Sequence, residues 1–292
     1  MATTNNITTT YIGKDSKQFI SPIIEAGRTL GVPGVTVRTN VNYRSRITTI
    51  ALSNLIKDAT CDFDPTGQID QGENWLEVKQ LEVELQLCKN DYYNDYIGEN
   101  MGTNDPIPSG FLKYLVGRIG ANVSDSLENM VWKGTDVANS FEGYEAKFTA
   151  DANVVDVVSA AITSTNVIAE ARKVIAAAKK ELLTASDTYL YVPNGIFQSL
   201  RQSFNDKSNA APCGEDCMTV DGIKIFLAPG ITEGNMVLAR KSNLFFGTWV
   251  MNDATAVKVI DMSQFGEKNF RFAMTFFAGV GYGYGDEIVF YS

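Results

Sequence analysis

Phe270-Arg271-Phe272-Ala273-Met274-Thr275-Phe276-Phe277-Ala278-Gly279-Val280-Gly281-Tyr282-Gly283-Tyr284-Gly285 is the stretch from which the rest of the chain is read. Its even positions are bulky: Phe270, Phe272, Met274, Phe276, Val280, Tyr282 and Tyr284. The odd positions shrink, through Ala273 and Thr275 to Gly279, Gly281, Gly283 and Gly285. Alternation with period two marks a strand, and a glycine face predicts another backbone packed closely against it. A dinucleotide loop of the form Gly-x-Gly-x-x-Gly would need glycine where Tyr284 stands, so that reading fails. The sequence closes on Ile288-Val289-Phe290-Tyr291-Ser292, and neither run carries a reactive side chain. The expectation is architecture, with Gly281→Val impairing folding or assembly.

At 292 residues, with 45% hydrophobic and 20% charged residues, the chain is sized for one large or two modest folded domains. Its net charge of -9 disfavours a nucleic-acid grip spread over the whole surface. There is no histidine, which removes the commonest general acid/base and metal ligand together. The opening residues, Met1 to Thr10, lack the charged and apolar regions of a secretory signal. No apolar run approaches the roughly 18 residues needed to span a bilayer, so no membrane partner is expected. Four cysteines, Cys61, Cys88, Cys213 and Cys217, are too few for a disulfide scaffold. Free thiols in a reducing cytoplasm are expected, with Cys61 and Cys88 placed to sit opposite each other across a hairpin.

Residues 1–33 are Thr/Asn-rich, with a short amphipathic patch from Phe19-Ile20 to Ile23-Ile24. They read as an arm that orders only against something else. Val35, Val37, Val41 and Tyr43 alternate with polar residues and predict a strand; Leu81, Val83, Leu85 and Leu87 predict a matching one. The polar segment Asp62 to Glu73 lies between these two ribbons. Such an excursion cannot bury both faces by itself and needs a neighbouring subunit. After Pro106-Ile107-Pro108-Ser109, apolar residues recur at helical spacing from Leu112 to Val131, predicting a helix over 107–133. A second helix from Ser164-Thr165 should carry Val167 through Leu182 on one face and end at Lys179-Lys180. A strand at Tyr189–Val192, a helix after Pro193, and strands around 223–228, 236–239, 244–247 and 257–260 follow. The order implies α+β segregation around a central α/β unit.

The sharpest chemical motif is the stretch from Asp62 to Glu73. Asp62, Asp64, Thr66, Asp70 and Glu73 stand at positions 1, 3, 5, 9 and 12 of a calcium loop, with Gly67 at position 6. A calcium-binding module is therefore one alternative, although flanking helices are required and a strand is expected soon after the loop. Cys213 and Cys217 have a loose zinc spacing but no histidine to complete a site. Asp286 and Glu287 are adjacent in a strand-like stretch and point apart. No nucleophile elbow or phosphate loop appears. No catalytic residue, no cofactor and no enzymatic activity are expected.

Asn243-Leu244-Phe245-Phe246-Gly247-Thr248-Trp249-Val250-Met251-Asn252-Asp253, then Val257 to Met262, then the run from Phe270, resembles the C-terminal half of tailed-bacteriophage major capsid proteins. Thr163 to Ile168 opening a helix, and Ile231 to Lys241 leading into Ser242-Asn243, add to the resemblance, which spans roughly 105–292. It implies the Hong Kong 97 fold: an N-terminal arm (1–33), an extended β-hairpin loop (34–100), a peripheral domain (101–149 and 246–281) with spine helix 107–133, and an axial domain (150–245 and 282–292). It further implies a shell protein forming pentamers and hexamers of an icosahedral phage head around double-stranded DNA. Assembly would pass through a precursor shell that later expands, with synthesis in the host cytoplasm and a final place in the virion. The implied partners are further copies of itself, a portal, a separate scaffolding protein, decoration or head-completion proteins, and weakly contacted DNA. A separate scaffold is implied because no long helical segment precedes the arm. No lysine lies between Asp62 and Glu73, which argues against covalent cross-linking at the hairpin tip. The net negative charge suits a lining that contains DNA without gripping it. An encapsulin-like shell around protein cargo is the other alternative.

Overall fold

In the structure, a computed structural model that describes residues 27–31, 34–59, 61, 65–88, 109–137, 139–208, 218–249 and 257–292, the alternating run forms one strand. This strand, β12 (Asn269–Tyr282), buries Phe270, Phe272 and Met274 on its bulky face. It is the central strand of a five-stranded sheet. β1 (Thr36–Arg38) runs parallel to β10 (Leu244–Gly247), and β10 pairs antiparallel with the end of β12. The earlier part of β12 is flanked by β11 (Val257–Asp261) and by β4 (Lys79–Cys88), both antiparallel. The helix expected over 107–133 is α1 (Ser109–Lys133), with Ile107 and Pro108 outside the described residues. Its Ile119, Leu127, Val131 and Trp132 share one apolar core with Val259, Phe272 and Met274 of the sheet, as the helical spacing of those residues requires.

A second, six-stranded sheet has the order β5 (Val155–Val157), β13 (Ile288–Tyr291), β9 (Met236–Arg240), β6 (Thr188–Val192), β8 (Ile223–Leu227) and β7 (Thr219–Val220). Its inner strands are apolar at most positions because both faces are covered, with Thr188, Lys224 and Arg240 as exceptions. Leu190, Met236, Leu238 and Val289 face one cluster with α3 (Val167–Ala177), α4 (Lys180–Thr184) and α5 (Asn194–Ser208). Tyr191, Val237, Ala239 and Phe290 face the other, which is continuous with the core under α1. Trp132, Tyr144, Phe148, Tyr191, Tyr282 and Phe290 join there through ring contacts of 5.2–5.8 Å. Tyr144 and Phe148 come from α2 (Tyr144–Ala150). One core therefore spans both sheets.

Three expectations are corrected here. The helix expected to run through Leu182 breaks, because Ala178 and Lys179 are extended and Lys179 precedes α4. Local propensity at Ala176-Ala177-Ala178 favours helix, so the break is tertiary: it turns Leu182 back onto the second sheet. The strand expected over 35–43 contracts to β1, which pairs with β10 and not with the segment around Leu81–Leu87. Periodicity identifies a strand but carries no information on its partner. Asp286 lies in a 3-10 turn, Gly285–Glu287, where it pairs with Lys179 while Glu287 pairs with Arg240. The arm residues 1–26, with the patch at Phe19–Ile24, lie outside the described residues, as do Cys213 and Cys217.

The chain passes between the two sheets twice at one point, from β9 to β10 and from β12 to β13. Asn243 stands there, 5% exposed. Its Oδ1 accepts the Gly283 and Tyr284 N–H groups at 3.1 and 2.8 Å, and its Nδ2 donates to the Tyr284 carbonyl at 2.7 Å. The amide thus serves as a piece of strand between the two crossings.

Residues 27–31 are fixed against α1 through Thr29. Thr29 donates both its N–H, at 3.0 Å, and its hydroxyl to the Glu128 carboxylate, and Trp132 Nε1 donates to the Thr29 hydroxyl at 2.8 Å. Burial pushes Glu128 above the usual glutamate range, opposed by the Thr29 and Gly230 hydrogen bonds and by Arg28. A raised folded pKa means that, between the ordinary and the raised value, the folded state holds more protons than the unfolded chain. Stability from this group is therefore fully present below the ordinary value and is lost as pH rises through the raised one. Urea unfolding of wild type and Glu128→Gln at pH 5 and pH 7 tests this: the wild-type advantage is expected to grow on acidification. An equal difference at both pH values would contradict it.

Candidate functional site

The feature with no core of its own is a two-stranded ribbon, β2 (Arg44–Ser53) and β3 (Gln68–Glu77). Ten residue pairs, from Arg44↔Glu77 to Ser53↔Gln68, make it about 34 Å long at roughly 3.4 Å per residue. Among the described residues β2 and β3 pair only with each other. The ribbon is thus narrower than the expected 34–100 hairpin, since β1 and β4 belong to the five-stranded sheet. β3 passes into β4 through Val78 alone. Cys61 therefore lies beyond the ribbon's far end while Cys88 ends β4, with both strands between them. The expectation that these two thiols sit opposite each other is overturned.

The base of the ribbon is anchored where the glycine face of β12 predicted a close neighbour. A Cβ on Gly279 would lie 1.9 Å from the Glu77 carbonyl oxygen, and one on Gly281 would lie 3.3 Å from the Leu76 Cα. Gly283 instead meets Asn243. Val41, Ile47, Leu76 and Val78 are buried in a small cluster over Phe245 and Phe277. Farther out, the Asn74 amide donates to the Gly283 carbonyl at 2.5 Å and the Tyr284 hydroxyl accepts the Ile50 N–H at 3.1 Å. Arg44 pairs with Glu77, and Arg46 reaches Glu73 at 3.4 Å; exposed pairs of this kind contribute about 0–1 kcal/mol.

Beyond these ties the ribbon carries apolar side chains into solvent. Ile50, Leu52 and Ile69 share one face by strand alternation, with Leu52 directly opposite Ile69. Leu55 and Ile56 follow in the tip loop, Ile56 being 96% exposed. The sequence reading missed this patch, because it placed the ribbon's strands on either side of their true positions. The signal was present in Ile50-Ala51-Leu52 and Leu55-Ile56.

The described calcium-loop residues do not come together. Asp70 and Glu73 lie in β3, three residues apart and hence on opposite faces of the ribbon. Thr66 donates its hydroxyl to the Asn54 carbonyl at 3.4 Å, while Asp62 and Asp64 lie outside the described residues. An EF-hand needs a helix where this chain has a strand, and no metal-holding group of three acids or thiols occurs among the described residues.

A cleft of about 800 Å³ separates the ribbon from the body, lined by Asp70, Glu73, Lys147, Asp151, Tyr282 and Asp286 among others. Several of its polar groups are engaged with neighbours. Lys147 pairs with Glu142 at 3.1 Å, and the Tyr282 hydroxyl donates to Asp151 at 2.8 Å. Burial pulls the Asp151 carboxyl upward, but hydrogen bonds from Asn153 and Tyr282 outweigh it and hold it below the ordinary range. A second concavity, about 730 Å³, lies between β4 and α1; Leu81, Val83, Leu85, Ile119, Val123 and Met130 line it together with polar residues such as Lys79, Glu82 and Asn122.

The whole architecture, two sheets sharing a core with a projecting ribbon, has counterparts among solved structures. The procapsid of satellite phage P4 with its size-determination protein aligns over 95% of this chain and 98% of the other, with a TM-score of 0.58 and 9% identity. The fold is that of a capsid subunit. The capsid of the native GTA particle aligns over 88% of this chain and 87% of its own, with a TM-score of 0.59 and 11% identity. The virus-like particle from Pyrococcus furiosus shares the capsid fold over 95% of this chain and 98% of its own, with a TM-score of 0.55 and 12% identity. No family model and no curated protein matches the sequence.

Proposed function

We propose that the chain is the major shell protein of a tailed-phage head, whose copies self-assemble as pentamers and hexamers into an icosahedral shell around double-stranded DNA. The observation that carries this reading is the ribbon: a capsid fold whose ribbon leaves Ile50, Leu52, Leu55, Ile56 and Ile69 exposed to solvent is built to be completed by another subunit. The work is done by contact geometry, without turnover. In this reading the five-stranded sheet with α1 is the peripheral domain of the Hong Kong 97 plan and the six-stranded sheet is the axial domain. The ribbon is the extended loop, and residues 27–31 belong to the root of the arm, held on α1 by Thr29. A portal, a separate scaffolding protein and head-completion proteins are the proposed partners. The net charge of -9 supports a weakly held DNA content. The virion is the proposed location, reached by assembly in the host cytoplasm.

The likeness to a virus-like particle keeps a protein-cargo shell as the second reading. Electron microscopy of the purified protein, produced alone and with its genomic neighbours, tests both. Closed shells are expected, and nuclease-protected DNA inside particles separates a phage head from a cargo shell, which would retain a co-purifying protein instead. Monomers under every condition would overturn both readings.

A further inference from the structure

We propose that the turn at residues 283–287 couples the ribbon to the short helix α4, so that moving either one shifts the hold on the other. Each residue of the turn is held from a different side. The Gly283 carbonyl accepts the Asn74 amide of the ribbon at 2.5 Å. The Tyr284 hydroxyl accepts the Ile50 N–H at 3.1 Å and donates back to the Ile50 carbonyl at 3.5 Å. Gly285 packs on the segment between α2 and β5, where a Cβ would lie 2.6 Å from the Asp151 Oδ2 and 3.2 Å from the Asn153 Cβ. Asp286 pairs with Lys179, and Glu287 lies 3.6 Å from Arg240.

Both of those cations belong to the seat of α4. Lys179 stands where the helical run breaks and α4 begins, and its side chain caps no backbone group. Arg240 meets Glu287 through Nη1 and donates through Nη2 to the Glu181 carbonyl of α4 at 2.7 Å. Its Nε is buried without a partner among the described residues. α4 itself has five residues and one buried side chain, Leu182, whose carbonyl accepts the Thr188 hydroxyl at 2.6 Å. A helix this short owes much of its orientation to the contacts at its ends.

The turn transmits displacement because it is stiff. Residues Gly285–Glu287 form one 3-10 turn, closed by the Ile288 N–H on the Gly285 carbonyl, and Gly285 is buried. On the other side the Asn243 amide clamps the Gly283 and Tyr284 N–H groups. A shift of Tyr284 with the ribbon therefore carries Asp286 and Glu287 with it. By linkage the effect runs equally in both directions. Its size follows from the weakest joint. Lys179 and Asp286 are 48% and 49% exposed, so their pair is weak and screened by salt. The coupling is modest at low ionic strength and fades as salt rises.

Hydrogen exchange in the full-length protein tests this. The Ile50 amide donates to Tyr284 and reports the hold on the ribbon. The Leu182 and Leu183 amides donate to the Lys179 carbonyl at 3.1 and 3.3 Å and report the seat of α4. At about 0.01 M salt, Lys179→Met is expected to speed exchange at Ile50 about two- to fivefold. Tyr284→Phe is expected to speed Leu182 and Leu183 by a similar factor. At about 1 M salt, wild type and Lys179→Met should exchange alike at Ile50. Ile225, whose amide donates to the Met218 carbonyl at 3.0 Å, serves as a control that neither variant changes. Arg172→Met, which breaks an exposed pair with Asp221 outside the turn, should leave Ile50 as in wild type. An unchanged Ile50 in Lys179→Met, a difference that persists at high salt, or a rise shared by Ile225 would overturn the coupling. The shell reading does not depend on the outcome.

Discussion

Gly279→Ala is expected to cost about 3 kcal/mol or more of folding stability, at the upper end of what overpacking a well-filled site costs. The added Cβ would lie 1.9 Å from the Glu77 carbonyl oxygen and 2.9 Å from the Val78 Cα. These are backbone atoms at the root of the ribbon, so no rotamer change relieves the clash. Either β12 shifts in the sheet or the ribbon lifts off its base. Gly281→Val should follow with a smaller effect, since the first added carbon there meets Leu76 and Trp75 at 3.3 Å and only the branching methyls overlap. The same change of residue has the opposite sign at Gly117. That glycine lies within α1, and a Cβ there meets nothing within 4 Å. Gly117→Ala should therefore stabilise by about 0.5–1 kcal/mol through helix propensity and a less flexible unfolded chain. Urea unfolding midpoints of the three variants check the order. Near-wild-type stability for Gly279→Ala would mean that the ribbon does not rest on β12 as described.

Asn243→Leu is expected to destabilise by about 2–3 kcal/mol, which for a chain of this size lowers the melting midpoint by roughly 3–5 °C. Leucine has nearly the shape of asparagine and none of its hydrogen bonds. The Gly283 N–H keeps the Asn243 backbone carbonyl as an acceptor at 3.1 Å, but the Tyr284 N–H and carbonyl lose the side-chain partners described above. The loss falls where both chain crossings between the sheets lie side by side, so the position of Tyr284 and its contact with Ile50 depend on it. Faster proteolysis of the ribbon in Asn243→Leu is therefore expected alongside the lower midpoint. Calorimetry and limited trypsin digestion measure the two effects. A variant that melts as wild type would show that water replaces the amide without loss.

The elements legible in the sequence were those whose signal is local. β12, α1, β6, β9 and α5 each carry their own periodicity, and the run at Gly279–Gly283 announced that a backbone would lie against it. The ribbon was legible as a need for a neighbour but not in its register. Its true strands, Arg44–Ser53 and Gln68–Glu77, are polar enough on both faces that alternation picked out Val35–Tyr43 and Leu81–Leu87 instead. Those segments alternate cleanly because they lie on the body, where one face is buried. The calcium spacing from Asp62 to Glu73 was a true sequence match, but β3 turns Asp70 and Glu73 to opposite faces.

The sequence by itself determined that this is a chain of long strands and one long amphipathic helix. It also determined that no histidine-based chemistry is available, and that something must pack on the glycines of β12. Only the tertiary structure decided what packs there, because a strand's period records which face is buried and not by which partner. The base of the ribbon meets Gly279 and Gly281, and Asn243 meets Gly283. That placement sends the ribbon outward with Ile50, Leu52 and Ile69 uncovered, the surface proposed to meet another subunit.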